Sequence, residues 1–168
     1  MNIEIRQATH DDADWLYKSF EAEFNQNRPY NYFVECCDLQ AKDELILLYA
    51  VNGSDYLGHL KVVWHPDYTY FRDNNIPEIQ DLNVVGSARR QGVASRLMDV
   101  AEAHIKERSP VAGIGFGLFP AYGAAQVMYV RRGYVPDGRG IAYHGESVTE
   151  GQTVSVDKYL VLSMTRQL

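Results

Sequence analysis

The stretch Arg89-Arg90-Gln91-Gly92-Val93-Ala94 decides how this chain is read. It follows an apolar run, Ile79 to Val85, and opens an amphipathic segment, Val93 to Ile105. The order is strand, short basic glycine-containing turn, helix. A helix start leaves backbone N–H groups unpaired and carries the positive end of the helix dipole; here both lie beside two arginines. Such a turn suits an anion, and a pyrophosphate in particular. Taken alone, Arg89 and Arg90 read as a solvated pair. The glycine that frees the turn, and the core face of the helix after it, shift the reading to a phosphate-bearing ligand. That face carries Val93, Ala94, Leu97, Met98, Ala101 and Ile105 at helical spacing.

Two common phosphate-binding folds are excluded. No GxxxxGK[ST] stretch exists, so this is not a P-loop NTPase. Gly113-Ile114-Gly115-Phe116-Gly117 contains GxG, but inside a strand pattern and with the third glycine misplaced for a dinucleotide fold. These glycines share one face of the strand, which signals close approach by another element or a ligand, packing being the first expectation.

Working outward, Ile3 to Arg6 alternates as a strand, and a helix starts at Thr9 or His10. Ala13, Leu16, Tyr17, Phe20 and Phe24 recur at helical spacing, and Tyr32 to Ala41 reads as a second short helix. Glu44 to Val51 and Tyr56 to Trp64 form a hairpin around Asn52-Gly53. His65 to Asn75 reads as a loop, Glu78 to Val85 and Val111 to Phe119 as strands. Gly123 to Arg131 is a helix ended by Gly133. Ile141 to Val148 and Tyr159 to Thr165 read as final strands. Alternating strands and helices in the middle, with hairpins at both ends, predict a mixed α/β sheet rather than a purely parallel one.

At 168 residues the chain is most simply one domain, residues 1–168, with enough length for a sizeable core. Its formal net charge is −6 and its pI about 5.3, which argues against a nucleic-acid partner and is compatible with a cationic substrate. Cys36 and Cys37 are adjacent, so neither a disulfide framework nor a metal site is expected. No signal-peptide pattern and no bilayer-length apolar run is seen, so a cytoplasmic compartment without membrane contact is expected.

At this point the chain resembles the GCN5-related N-acetyltransferase (GNAT) superfamily. Arg89, Gly92 and Ala94 match the family's [RQ]-x-x-G-x-[GA] pattern, and Asp81-Leu82-Asn83-Val84 resembles its fourth strand. Ala125 to Tyr134 resembles its A-x-x-x-Y-x-x-x-G-[FY] segment, and the resemblance covers roughly Pro77 to Gly138. It implies a mixed, mostly antiparallel sheet with splayed central strands and helices on both faces. It also implies acetyl-CoA (coenzyme A) as cofactor. The backbone of Leu82, Asn83 and Val84 would bond the pantetheine amides, and Arg89, Arg90, Gln91, Gly92, Val93 and Ala94 would hold the pyrophosphate.

Tyr129 matches the family's general-acid tyrosine; composition alone would make it a core aromatic. A phenol near pKa ~10 protonating a thiolate whose acid is near ~8.5 works uphill by roughly 1.5 units, about 2 kcal/mol. A hydrogen bond to the developing thiolate therefore describes its role as well as full proton transfer does. Where many members carry an asparagine beside the cofactor sulfur, this chain has Tyr122. Where some carry a basic carboxylate on the fourth strand, it has Gln80. The amine must lose a proton before it attacks, and a carboxylate can take it directly or through water. Glu78 shares Gln80's face and is favoured over Asp81, which points the other way; release to water is the remaining route. Cys36 and Cys37 as acyl carriers would need a two-step route, and nothing around them activates a thiolate.

The expectation is direct, ternary-complex transfer of an acetyl group to a primary amine of a small molecule, peptide or protein, by a monomer or a homodimer. Acceptor specificity would lie in Tyr17 to Val34, His65 to Asn75 and the last hairpin. The competing class is a non-catalytic acyl-CoA-binding or sensing module of the same fold, which Gln80 and Tyr122 favour and Tyr129 opposes.

Overall fold

The computed structural model describes residues 2–24 and 27–168. The chain forms two compact units, each assembled from separated stretches: residues 1–64 with 79–104, and residues 65–78 with 105–168.

The first unit holds β1 (Glu4–Gln7), α1 (Ala13–Phe24), α2 (Tyr32–Ala41), β2 (Leu45–Asn52) and β3 (Asp55–Val63). It also holds most of β4 (Glu78–Val84) and nearly all of α4 (Val93–Lys106). Its strands run in the order β1-β2-β3-β4, with antiparallel pairing in β1–β2 and β2–β3. A 3-10 turn, His10–Asp12, leads into α1, and the Thr9 N–H donates to Asp12 Oδ2 at 2.8 Å. That satisfies one donor at the chain's entry to the helix. Leu16 and Phe20 of α1, Phe33 of α2, Leu47 and Leu48 of β2, Leu60 and Val62 of β3, and Leu97 and Met98 of α4 are fully buried. Each large apolar side chain of this kind contributes about 1.5–3 kcal/mol of burial free energy.

The hairpin at Asn52-Gly53 forms with its turn shifted by one residue. Asn52 pairs with Asp55, so Gly53 and Ser54 make the two-residue loop. Gly53 has φ +63°, the left-handed first position that a type II′ turn requires.

The second unit holds α3 (Thr69–Asp73), β5 (Val111–Gly117), α5 (Gly123–Arg131), β6 (Val135–Tyr143), β7 (Glu146–Ser147) and β8 (Leu160–Gln167). Its strands run in the order β5-β8-β6-β7, and β5–β8, β6–β8 and β6–β7 are antiparallel. The fold is thus mixed α/β with mostly antiparallel pairing.

Three segments differ from the sequence reading, the first being residues 135–140, which open β6 and to which the sequence reading assigns no strand. His65 to Asn75 is not wholly loop: one short helix turn, α3, buries Phe71 completely. Ile141 to Val148 is not one strand. His144 (φ +51°) and Gly145 (φ +81°) fold it back as a tight hairpin between Tyr143 and Glu146. Two successive left-handed residues mark a type I′ turn, and histidine is an uncommon occupant that composition does not flag.

Candidate active site

In the first unit the Arg89–Ala94 segment is a solvent-facing turn. A 3-10 turn, Gly86–Ala88, ends β4, and α4 begins at Val93. Arg89, Arg90, Gln91 and Gly92 are exposed, Ala94 is half-buried, and Val93 anchors the helix in the core. Arg90 (φ +59°) and Gly92 (φ +89°) are both left-handed. Left-handed residues alternating with ordinary ones form the concave backbone nests that bind anions. Nothing lies within 4 Å of where a Cβ on Gly92 would stand. Arg89 Nε donates to the Val84 carbonyl at 3.2 Å, and Gln91 Nε2 to the Ser87 carbonyl at 2.7 Å, bracing the turn from within. The Arg96 N–H donates to the Gly92 carbonyl at 3.0 Å, the first bond of the helix, so the N–H groups before it have no intrahelical acceptor. An exposed, basic, preformed cradle of this kind fits a pyrophosphate.

β4 carries Leu82, Asn83 and Val84, all half-buried, directly before this turn. Asp81 is tied down beside them. Arg28 donates two parallel hydrogen bonds to its carboxylate, at 2.9 and 2.8 Å, and the Tyr32 hydroxyl a third at 2.7 Å. Burial opposes its ionisation, yet the His59 N–H and the Arg28 guanidinium outweigh this and hold the carboxyl well below the usual range. His59 is fully buried, and burial lowers its pKa, so the ring is neutral. Its Nε2 lies 3.0 Å from Asp81 Oδ2 and 3.1 Å from Arg28 Nη1, and its Nδ1 is hydrogen-bonded to the Tyr56 hydroxyl. Arg28, His59 and Tyr56 were invisible as a group in the sequence, because they lie on separate elements with no motif spacing.

In the second unit the glycine-bearing face of β5 is a bed for side chains. A Cβ on Gly113 would come within 2.5 Å of the Phe71 ring, and one on Gly117 within 2.5 Å of the Tyr122 ring. A Cβ on Gly115 would stand 2.9 Å from Val161 Cγ1 and 3.2 Å from Glu78 Oε1. The packing explanation of the three glycines therefore holds. They seat Phe71, Glu78 and Tyr122, and the half-buried Glu78 carboxylate lies over the middle one. The Gly113 N–H donates to the Pro77 carbonyl at 2.9 Å, fixing the strand that presents Glu78.

Tyr129 lies on α5, 5% exposed, its ring 5.8 Å from Phe116 and 6.1 Å from Tyr134. The helix end holds it in place. Gly133, at φ +90°, donates to the Val130 carbonyl at 3.0 Å, and Tyr134 donates to the Tyr129 carbonyl at 3.0 Å. This is the paired-bond termination expected from a glycine just past a helix, with its hydrophobic contact supplied by Tyr129 and Tyr134. Gln126 Nε2 ties the same helix to the Gly117 carbonyl at 3.1 Å. Burial first, and the neighbouring Tyr122 second, push the Tyr129 phenol well above the ordinary tyrosine range, so it stays protonated and keeps an O–H to donate.

Cys36 and Cys37 are both buried thiols, and burial raises each pKa, that of Cys37 to about 11. A thiol so protonated is a poor acyl carrier. Among the described residues no cluster of histidine, cysteine and carboxylate side chains could hold a metal ion, and no helix is long and apolar enough to cross a membrane.

The sequence model of the Acetyltransferase (GNAT) family matches residues 10–134. The chain belongs to this family. No curated protein sequence matches it. Crystal structures share the GNAT fold over nearly the whole chain at low identity. The ribosomal-protein-alanine N-acetyltransferase of Brucella melitensis is 19% identical with a TM-score of 0.69, covering 98% of this chain and 99% of that one. A Salmonella typhimurium acetyl transferase that modifies the N-terminal serine of ribosomal protein L7/L12 is 13% identical, TM-score 0.70, covering 100% and 96%. The yncA protein of the same organism, solved with its cofactor acetyl-CoA, is 13% identical, TM-score 0.68, covering 98% and 93%.

Proposed function

We propose that this GNAT-family protein is a single-domain, acetyl-CoA-dependent N-acetyltransferase that acetylates a primary amine of a small molecule or peptide directly, in the cytoplasm. The observation that carries it is the half-buried Glu78 carboxylate seated over Gly115 on the glycine bed of β5. Support also comes from Tyr129, a buried phenol that keeps its proton.

Acetyl-CoA, when bound, supplies an acetyl group already activated as a thioester. The exposed turn of Arg89, Arg90, Gln91 and Gly92, with the first N–H groups of α4 at Val93 and Ala94, holds its pyrophosphate. The backbone of Leu82, Asn83 and Val84 holds its amides, and Tyr122 replaces the asparagine expected beside its sulfur. Glu78 removes the proton from the acceptor ammonium, directly or through a water, because an ammonium has no lone pair with which to attack. Asp81 is unsuited to that task, since its lone pairs are already engaged by Arg28, Tyr32 and His59. Tyr129 donates a hydrogen bond to the sulfur as negative charge builds there. Its raised pKa makes full proton transfer less favourable than for an ordinary tyrosine, so stabilisation of the thiolate is its main contribution.

A thiol-release assay with acetyl-CoA across a panel of amines, amino acids and peptides tests the reading. Release is expected with at least one primary amine. Glu78→Gln is expected to lower kcat about 10²-fold and to abolish the acidic limb of the pH–rate profile. Tyr129→Phe is expected to lower kcat by about 10²-fold at nearly unchanged affinity for acetyl-CoA. Cofactor binding without release on any amine would favour the sensing module instead.

A further inference from the structure

Asp81 is the one residue of β4 with a left-handed backbone, φ +57°. A side chain in that region is disfavoured, and in the middle of a strand it breaks the regular alternation of faces. This backbone is gripped by its own side chain. Oδ1 accepts from Arg28 at 2.8 Å and from Asn83 Nδ2 at 2.7 Å. Oδ2 accepts from Arg28 at 2.9 Å, Tyr32 at 2.7 Å and His59 at 3.0 Å. Asn83 Nδ2 also donates to the Asp81 carbonyl at 3.0 Å, closing a loop across the irregular residue.

Arg28 is itself fixed. Its guanidinium carbon lies 3.8 Å from the ring centre of Phe20 and 4.2 Å from that of Tyr32, and its side chain is 11% exposed. On the neighbouring strand, a Cβ at Gly58 would stand 2.2 Å from the Asn83 carbonyl oxygen. The main chain of β4 therefore presses on β3 just after Asp81, in space that only glycine leaves. The Val85 N–H then rejoins β3 through the Leu57 carbonyl at 3.0 Å.

We propose that Arg28, Tyr32 and His59 are positioning residues for acetyl transfer: by clamping Asp81 in its left-handed conformation they set the path of Leu82, Asn83 and Val84, the backbone that holds the cofactor amides. The inference rests on the assignment of that backbone to acetyl-CoA. Two features separate it from a purely stabilising ion cluster. Arg28, Tyr32 and His59 each bond the side chain of the one irregular residue, and the next three residues are the ones that must present their main chain. It also separates Asp81 from a base, because a carboxylate has about four lone-pair sites and these contacts fill them.

The test pairs substitutions so that no charge is left buried and alone. Arg28→Leu/Asp81→Ala and Arg28→Leu/Asp81→Gly both remove the clamp, but only glycine adopts the left-handed conformation freely. In the full-length protein, acetyl-CoA affinity is measured by calorimetry, and hydrogen exchange of the Leu82 to Val84 amides is followed without cofactor. The alanine pair is expected to bind acetyl-CoA about tenfold more weakly than the glycine pair, the cost of forcing alanine left-handed. Its amides at Leu82 to Val84 are expected to exchange faster. Tyr32→Phe, a milder change, is expected to weaken binding by about threefold or more. Equal affinity and equal exchange in the two pairs would overturn the clamp, as would loss of a limb of the kcat/KM pH profile in Arg28→Leu/Asp81→Asn, since that would make Asp81 a base. Should the Arg28→Leu pairs not fold, wild-type affinity in Tyr32→Phe overturns it. Failure of the wild-type protein to bind acetyl-CoA would instead bring down the functional reading, and the proposal with it.

Discussion

The Glu78 carboxylate and the Gly115 backbone share one small space, and this makes a single methyl group informative. In Gly115→Ala the new Cβ would stand 2.9 Å from Val161 Cγ1 and 3.2 Å from Glu78 Oε1. Val161 is a short, β-branched side chain on a paired strand and has little freedom to move. Glu78 is longer, so it gives way. Gly115→Ala is expected to reduce kcat about tenfold while costing about 1–3 kcal/mol of stability, the usual range for overpacking. Thermal unfolding and steady-state kinetics on the same preparation separate the two effects. A stable variant with unchanged kcat would show that the exact seat of Glu78 does not matter. The residue types at this site were legible in the sequence: glycines on one strand face, a glutamate at a strand start, a tyrosine on a helix. Their meeting was not, because spacing along a strand says which residues share a face and is silent about what lies on it.

At the level of elements, the helices were the most legible. Tyr32–Ala41, Val93–Lys106 and Gly123–Arg131 begin and end where the sequence places them. In α4 the apolar stripe is continuous, and in α5 Gly133 provides a termination signal that needs only local geometry. The strands were less legible where a turn or an irregular residue interrupts them. His144-Gly145 splits an apparent strand into two, and Asp81 breaks the alternation of β4 without any glycine or proline to announce it. Gly58 is the counterpart of Asp81 on the adjacent strand. In Gly58→Ala, a Cβ 2.2 Å from a main-chain oxygen has no flexible neighbour to displace. A loss of at least about 2 kcal/mol is expected, or roughly 4–8 °C in the thermal midpoint for a chain of this size. Gly53→Ala, whose Cβ meets nothing within 4 Å, is expected to cost only the left-handed strain, about 1 kcal/mol. Equal shifts in the two variants would mean that the close approach of β4 at Gly58 contributes nothing.

For the whole molecule, the clamp predicts the response to acid. His59 is buried and neutral with a lowered pKa, so below about pH 6.5 the unfolded chain takes up a proton that the folded one refuses. Asp81 is held ionised by His59 and Arg28 against the cost of its burial, so below about pH 4 the unfolded chain again binds the extra proton. Both terms are fully favourable at neutral pH and both are lost as pH falls. Stability is therefore expected to be flat above about pH 7, to decline gently below about 6.5 and steeply below about 4. Arg28→Leu/Asp81→Asn should remove the steeper part of that decline, as chemical denaturation across this pH range would show. An unchanged profile would mean that other carboxylates govern acid unfolding. By itself the sequence determined the class of fold, the longer helices, the basic turn before α4 and the tyrosine of α5. Each of these depends on short-range periodicity, on local backbone freedom or on a compact motif. Only the tertiary structure decided that Arg28, Tyr32, Tyr56, His59 and Asp81, half-buried or buried, form one cluster, and that three glycines seat Phe71, Glu78 and Tyr122. Those facts depend on which side chains long-range pairing of strands and helices brings within hydrogen-bond distance, and no spacing along the chain encodes that.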